Sequence, residues 1–188
     1  MDFSAFSHGQ IQSKLWLCEQ LEPYVPEQAK VVILGSWYNV LGLILLLRNP
    51  TKYNCIHGLD IDEDSVNIAN KLCDAWVIEP NYKIENICAD AQNYNLNYYD
   101  VIISTSCEDI KNNFWFNAIA KDKLICLQST NLDNSYTSKY KNWNIQNPNL
   151  NIEIFQKKFP VTQTKFLDAK LFDYGELSYK RFMLIGIT

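Results

Sequence analysis

Two rhythms of apolar residues alternate along this chain. Short apolar runs at 30–34 (KVVIL), 55–60 (CIHGLD), 82–88, 99–106 (YDVIISTS) and 123–130 (KLICLQST) have the length of buried strands. Between them the apolar positions recur every three to four residues. In GQIQSKLWLCEQLEPYVP the set is Ile11, Leu15, Leu17 or Cys18, and Leu21, and Pro23 and Pro26 end the helix. A second helix starts at Asn39 or Val40, runs to Arg48 and is closed by Asn49-Pro50. A third, over 62–77, buries Val66, Ala69, Leu72, Cys73, Trp76 and Val77. Asp62 is its N-cap, and the acids of its first turn suit the helix dipole. NNFWFNAIA, 112–120, predicts a short helix.

Strands that alternate with helices predict a mainly parallel sheet covered on both faces. The last third departs from that rhythm. NIEIFQKKFP (151–160) and YKRFMLIGIT (179–188) read as strands with no long amphipathic helix between them, which predicts an antiparallel pair at the sheet edge. The stretch 131–151 is rich in Asn and reads as loop. The expectation is one α/β domain of seven strands, with residues 180–187 antiparallel inside the sheet. Residues 1–28 would form a helical cover and 30–188 the core.

Composition narrows the function. The chain has 188 residues, enough for one domain with a sizeable core, and 47% of them are hydrophobic. A net charge of −4 argues against a large electrostatic footprint on nucleic acid, although Lys157 and Lys158 make a local basic pair. The six cysteines form no CxxC pair, and neither His8 nor His57 stands at metal-ligand spacing from one, so no metal site is expected. Free thiols point to a reducing, cytoplasmic compartment. MDFSAFSHGQIQSK lacks the pattern of a signal peptide, and the apolar run at 40–47 is too short to span a bilayer.

The candidate chemistry sits where strands end. Gly35 ends the first strand, Asp60 the second, Asp90 follows the third, and Ser104 and Thr105 close the fourth. The order of elements, these acids and the closing RFMLIGIT resemble the class I S-adenosylmethionine (SAM)-dependent methyltransferases, over roughly residues 30–188. The resemblance implies a Rossmann-like sandwich that binds SAM. Gly35, Ser36, Trp37 and Asn39 would form its first turn. Asp60, followed by Ile61, would take the ribose hydroxyls, as acids do in nucleotide-binding α/β folds. Asp90 or its neighbours Ala89 and Ala91 would meet the adenine amino group; a turn-forming role for Asp90 stands beside that one. Lys14, with Gln10 and Ser13, would reach the cofactor carboxylate from the N-terminal helix. Ser104, Thr105 and Glu108 would face the methyl group and acceptor, or cap the next helix. Cys107 has no histidine to activate it as a nucleophile.

The turn itself, GSWYN, departs from the family pattern, because Trp37 and Tyr38 stand where small residues are usual. Divergent members such as the nicotianamine synthases share a first motif with one or two glycines. Asn39 is placed either to bond a ligand carboxylate or to cap the next helix. Three readings follow: methyl transfer, transfer of the aminocarboxypropyl arm of SAM, and a non-catalytic module in which Trp37 plugs the site. A nicotinamide-dependent oxidoreductase fits less well, because GSWYNVLG lacks the G-x-G-x-x-G spacing. The acceptor is expected to be a small molecule or protein, with nucleic acid disfavoured by charge. Trp115, Phe116 and Trp143 are placed either to stack on a planar acceptor or to pack in the core.

Overall fold

A computed structural model describes residues 1–76, 84–132, 145–173 and 178–188; the expectations placed on Val77, Tyr82, Lys83 and Trp143 lie outside them. Seven strands form one sheet: β1 (Ala29–Leu34), β2 (Tyr53–Asp60), β3 (Ile84–Cys88), β4 (Val101–Ser104), β5 (Leu124–Thr130), β6 (Gln163–Asp173) and β7 (Ser178–Ile187). Their spatial order is β3-β2-β1-β4-β5-β7-β6. β1 to β5 pair in parallel, and β7 runs antiparallel between β5 and β6. The α-helices of the described residues are α1 (His8–Leu21), α2 (Val40–Arg48), α3 (Glu63–Trp76), α4 (Phe114–Asn117) and α5 (Ile152–Lys158).

Alternation along the strands builds a core on each face. Val31, Ile33, Val101, Ile103, Cys126, Met183 and Ile185 point to one side and meet Trp16, Leu17 and Leu21 of α1 and Leu41 and Leu45 of α2. Val32, Leu34, Ile102, Ile125, Leu127, Phe182 and Leu184 point to the other and meet Trp115, Phe116, Phe155 and Phe159. Each such aliphatic side chain contributes about 1.5–3 kcal/mol by burial. Trp115 and Phe116 therefore serve as core, packed edge-on to each other.

One predicted strand is a helix. Residues 151–160 do not pair with the sheet; Ile152–Lys158 forms α5. Asn151 caps it by accepting from Ile154 N at 2.8 Å, Glu153 lies in its first turn, and Lys157 and Lys158 lie in its last. Ile152, Phe155 and Phe159 recur at helical spacing on the buried side, and this outweighs the strand-like alternation of NIEIF. The partner of β7 is instead QTKFLDAKLFD, paired from Gln163 opposite Ile187 to Asp173 opposite Ser178. No helix of the described residues is long and apolar enough to cross a membrane.

Candidate functional site

The sheet reverses its winding between β1 and β4. β1 leads through α2 to β2 on one side, and β4 leads through α4 to β5 on the other. Chains diverging in this way open a crevice at the carboxyl ends of the strands, where open α/β sheets take their ligands. Gly35, Asp60, Ala89, Ser104 and Thr130 all stand at that edge.

The turn after β1 is strained and tightly tied. Gly35, Trp37 and Asn39 all have positive φ, at 60°, 52° and 51°. Its amides are spent inside the protein: Ser36 N donates to Leu59 O at 2.9 Å, Trp37 N to Asp60 Oδ2 at 2.7 Å, and Asn39 N to Ser36 O at 2.8 Å. A Cβ built on Gly35 meets no atom within 4 Å, so the chain leaves open space there.

Asn39 turns inward as the cap. Fully buried, its Oδ1 accepts from Gly42 N at 3.2 Å and its Nδ2 donates to Asn86 Oδ1 at 2.8 Å. Of the two roles open to Asn39, the structure realises the helix cap. A Cβ on Gly58 would stand 2.7 Å from Asn39 Nδ2 and 2.8 Å from Ser36 Oγ. The small residues that the turn lacks therefore stand behind it, at Gly42 and Gly58, where they make room for Asn39.

Trp37 is half-buried and stacks on Tyr38, with ring centroids 4.9 Å apart. Together with Ala5, Val40, and Ile68 and Leu72 of α3 they make a cluster separate from the two cores. Tyr38 is anchored to the N-terminus, its hydroxyl accepting from Asp2 N at 2.9 Å.

Asp60 and Asp62 divide their roles. Asp60 accepts from Trp37 N on Oδ2 and from Asp62 N, at 3.0 Å, on Oδ1. Each oxygen keeps a further lone pair on a carboxylate held from two sides. Asp62 accepts from Ser65 N and Oγ and caps α3, and these hydrogen bonds, the side-chain one first, hold its carboxyl below the usual range. Ile61, between them, is 74% exposed at the crevice edge. Ala89 N donates to Asp60 O at 2.9 Å. Ala89 and Ala91 are half-buried and flank Asp90. Asp90 Oδ1 accepts from Gln92 N at 2.9 Å and Oδ2 from Asn93 Nδ2 at 3.1 Å, so it stabilises its own turn.

Beyond β4 lies a group of buried polar residues. Ser104 is buried and its Oγ has no partner among the described residues. Glu108 is buried, accepts from Thr130 Oγ1 at 3.0 Å on Oε1, and leaves Oε2 unpartnered. Burial first, then nearby Asp109, pushes its carboxyl up to about 7. Gln128 binds α1 twice, accepting from Ser13 Oγ at 3.2 Å and donating to Ser13 O at 3.4 Å. Arg181, on β7 opposite Thr130, donates from Nη1 to Thr105 O at 3.2 Å and to Gln128 Oε1 at 3.3 Å. Lys14 is buried with its ammonium on Gln10 Oε1 at 2.8 Å. Burial, and after it the charge of Arg181, pulls Lys14 down to about 7.

Fold and geometry thus bring together Lys14, Thr105, Glu108, Gln128, Thr130 and Arg181 across 167 positions of sequence, from 14 to 181. Gln128, Thr130 and Arg181 escaped the sequence reading. Their only signal there is that they are polar in otherwise apolar strands. Among the described residues no group of His, Cys, Asp and Glu is placed to hold a metal. Cys107 is fully buried, and burial raises its thiol well above the usual range, against a nucleophilic role.

No family model and no curated protein matches the chain. Solved structures do. Magnesium protoporphyrin IX methyltransferase from Synechocystis PCC 6803, with bound S-adenosylhomocysteine (SAH), superposes with a TM-score of 0.65 at 10% identity, covering 95% of this chain and 83% of that one. Geranyl diphosphate C-methyltransferase from Streptomyces coelicolor A3(2), in complex with Mg2+, geranyl diphosphate and SAH, gives 0.67 at 7% identity over 95% and 78%. The YcgJ protein of Bacillus subtilis gives 0.66 at 10% identity over 94% and 98%. The fold is that of the class I SAM-dependent methyltransferases. In the methyltransferase fold as this chain builds it, the first turn is tied to β2 by Trp37 N and Asp60, and the N-terminal helix packs directly on the sheet.

Proposed function

We propose that the protein is a SAM-dependent methyltransferase. The observation that carries this reading is the pairing of open space over Gly35 with a carboxylate, Asp60, clamped beside it at the switch point. A plugged turn would fill that space. Asp60 would hold the ribose hydroxyls with its remaining lone pairs, and exposed Ile61 would lie along the adenine. Ala89, Asp90 and Ala91 would border the base, and Ser36, Trp37 and Asn39 would shape the turn. Lys14 would face the cofactor carboxylate. When bound, SAM supplies a methyl group already activated by its sulfonium, so the protein's task is alignment and exclusion of water.

On that reading Ser104 and Thr105 border the acceptor. Glu108, with a carboxyl near 7 and one free oxygen, suits removal of the acceptor proton near neutrality. The acceptor is a small molecule or protein, and the protein works in the cytoplasm as one domain.

Calorimetric titration with SAM and SAH tests the reading. Saturable binding of both to the folded wild type is expected. A folded protein that binds neither overturns it.

A further inference from the structure

We propose that Arg181 is the anchor of a buried carboxylate seat, and that the carboxylate belongs to the methyl acceptor. This rests on the methyltransferase reading above.

The argument begins with the guanidinium. Arg181 is only 6% exposed. Both of its described hydrogen bonds leave from Nη1, to Thr105 O and to Gln128 Oε1. Nε is buried without a partner among the described residues, and neither of the described hydrogen bonds uses Nη2. The free side is thus the Nε–Nη2 edge, two parallel donors that match the two oxygens of one carboxylate. A buried donor left unmatched is costly, and a buried charge more so.

No anion among the described residues satisfies it. Among the described residues Arg181 has no ion pair. Glu108 is the acid nearest in charge coupling, yet its carboxyl is held by Thr130. Lys14 is a second buried cation, its ammonium destabilised first by burial and then by the charge of Arg181. The guanidinium thus lacks a counter-ion among the described residues, a deficit that one monoanionic ligand group would fill.

Position assigns the source. The cofactor crevice is centred on β1, β2 and β4, while Arg181 springs from β7, three strands from β1 and therefore about 14 Å away in the sheet. Its Nη1 donates to Thr105 O in the loop after β4, with β1 between that strand and the β2 that carries Asp60. Lys14, from α1, is the cation left for the cofactor carboxylate.

The probes are SAH, 5′-methylthioadenosine (which lacks the amino acid arm), and acetate and benzoate with their amides. In wild type saturated with SAH, acetate and benzoate are expected to raise the melting temperature, and acetamide and benzamide to leave it unchanged. They should also shift the Arg181 Nε–H resonance of 15N-labelled protein. Arg181→Gln should abolish both responses while its SAH affinity stays within about twofold of wild type. Arg181→Lys keeps the charge but loses the bidentate edge, and should retain a weakened response; it also guards against a Gln variant that fails to fold. If Arg181→Gln loses about tenfold or more in SAH affinity and nothing for methylthioadenosine, the seat belongs to the cofactor and the proposal falls. It falls equally if carboxylates act alike on wild type and Arg181→Gln, or leave wild type unmoved. If wild type binds no SAH yet acetate still shifts Arg181 Nε–H, the methyltransferase reading fails and the carboxylate seat stands.

Discussion

The amide of Trp37 donates to the carboxylate of Asp60 at 2.7 Å, and this bond joins the turn after β1 to the end of β2. It holds Trp37 in a left-handed conformation at φ 52°, which a large side chain adopts only when its surroundings impose it. The same bond fixes the carboxylate that the proposed function assigns to the ribose hydroxyls. On the proposed reading, turn geometry and ligand recognition would therefore depend on one acid.

Replacing Asp60 by Ala should weaken SAH binding by about 1–3 kcal/mol, the scale for charge-assisted hydrogen bonds. Asp62→Ala should instead cost roughly 1 kcal/mol of stability, because Asp62 caps α3, with affinity little changed. Calorimetry and urea denaturation on the two variants separate the roles. Equal affinity losses at both positions would show the division to be wrong.

Gly35→Val should abolish SAH binding, because its side chain enters the open space over the turn. The fold should survive at a cost of about 1–3 kcal/mol for a β-branched residue at positive φ. Trp37→Ala decides between enzyme and plugged module. A binding wild type with a moderately weakened variant supports the enzyme, and a silent wild type with a binding variant supports the plug.

Gly58→Ala should destabilise the protein by about 1–3 kcal/mol, since its Cβ would press on Asn39 Nδ2 and Ser36 Oγ. Asn39→Gly removes the Asn39 part of the obstacle, leaving Ser36 Oγ, along with the α2 cap. The double variant should therefore be more stable than the sum of the two single losses, a departure from additivity that denaturant melts of all four proteins would reveal.

Stability should depend on pH through two buried groups with opposite signs. Glu108 has a folded value raised to about 7, so between the unfolded carboxylate value and 7 the native state holds the extra proton and stability falls as pH rises. Lys14 has a folded value lowered to about 7, so from 7 to its unfolded value the unfolded state holds the extra proton and stability rises with pH. Glu108→Gln should thus gain on wild type as pH goes from 5 to 8, by up to about 3 kcal/mol. Lys14→Met should gain on wild type as pH falls from 10 to 7. A difference from wild type that does not vary with pH would refute either assignment.

Much of the fold could be read from one dimension because its elements obey local periods. The helix at 40–48 was bounded by Asn39 and the Asn49-Pro50 stop, and α2 occupies those residues. The capping role of Asp62 was legible because a cap acts on its own helix, three residues away. The antiparallel β7 followed from an apolar terminal run without a crossover helix before it. Where two periods fit one segment, as in NIEIFQKKFP, pattern could not choose; burial of Ile152, Phe155 and Phe159 against the sheet chose the helix.

The site divides in the same way. Sequence alone placed Gly35, Asp60 and Asp90 at strand ends, because strand ends in a parallel sheet gather at one edge. It could not say that Asn39 faces inward, since that depends on Gly42 and on Gly58 from another strand. Nor could it join Lys14 of α1, Glu108 beyond β4, Thr130 of β5 and Arg181 of β7. Those residues meet only because β7 inserts antiparallel beside β5 and α1 closes over both, and the shifted protonation of Lys14 and Glu108 comes first from the burial that this packing creates.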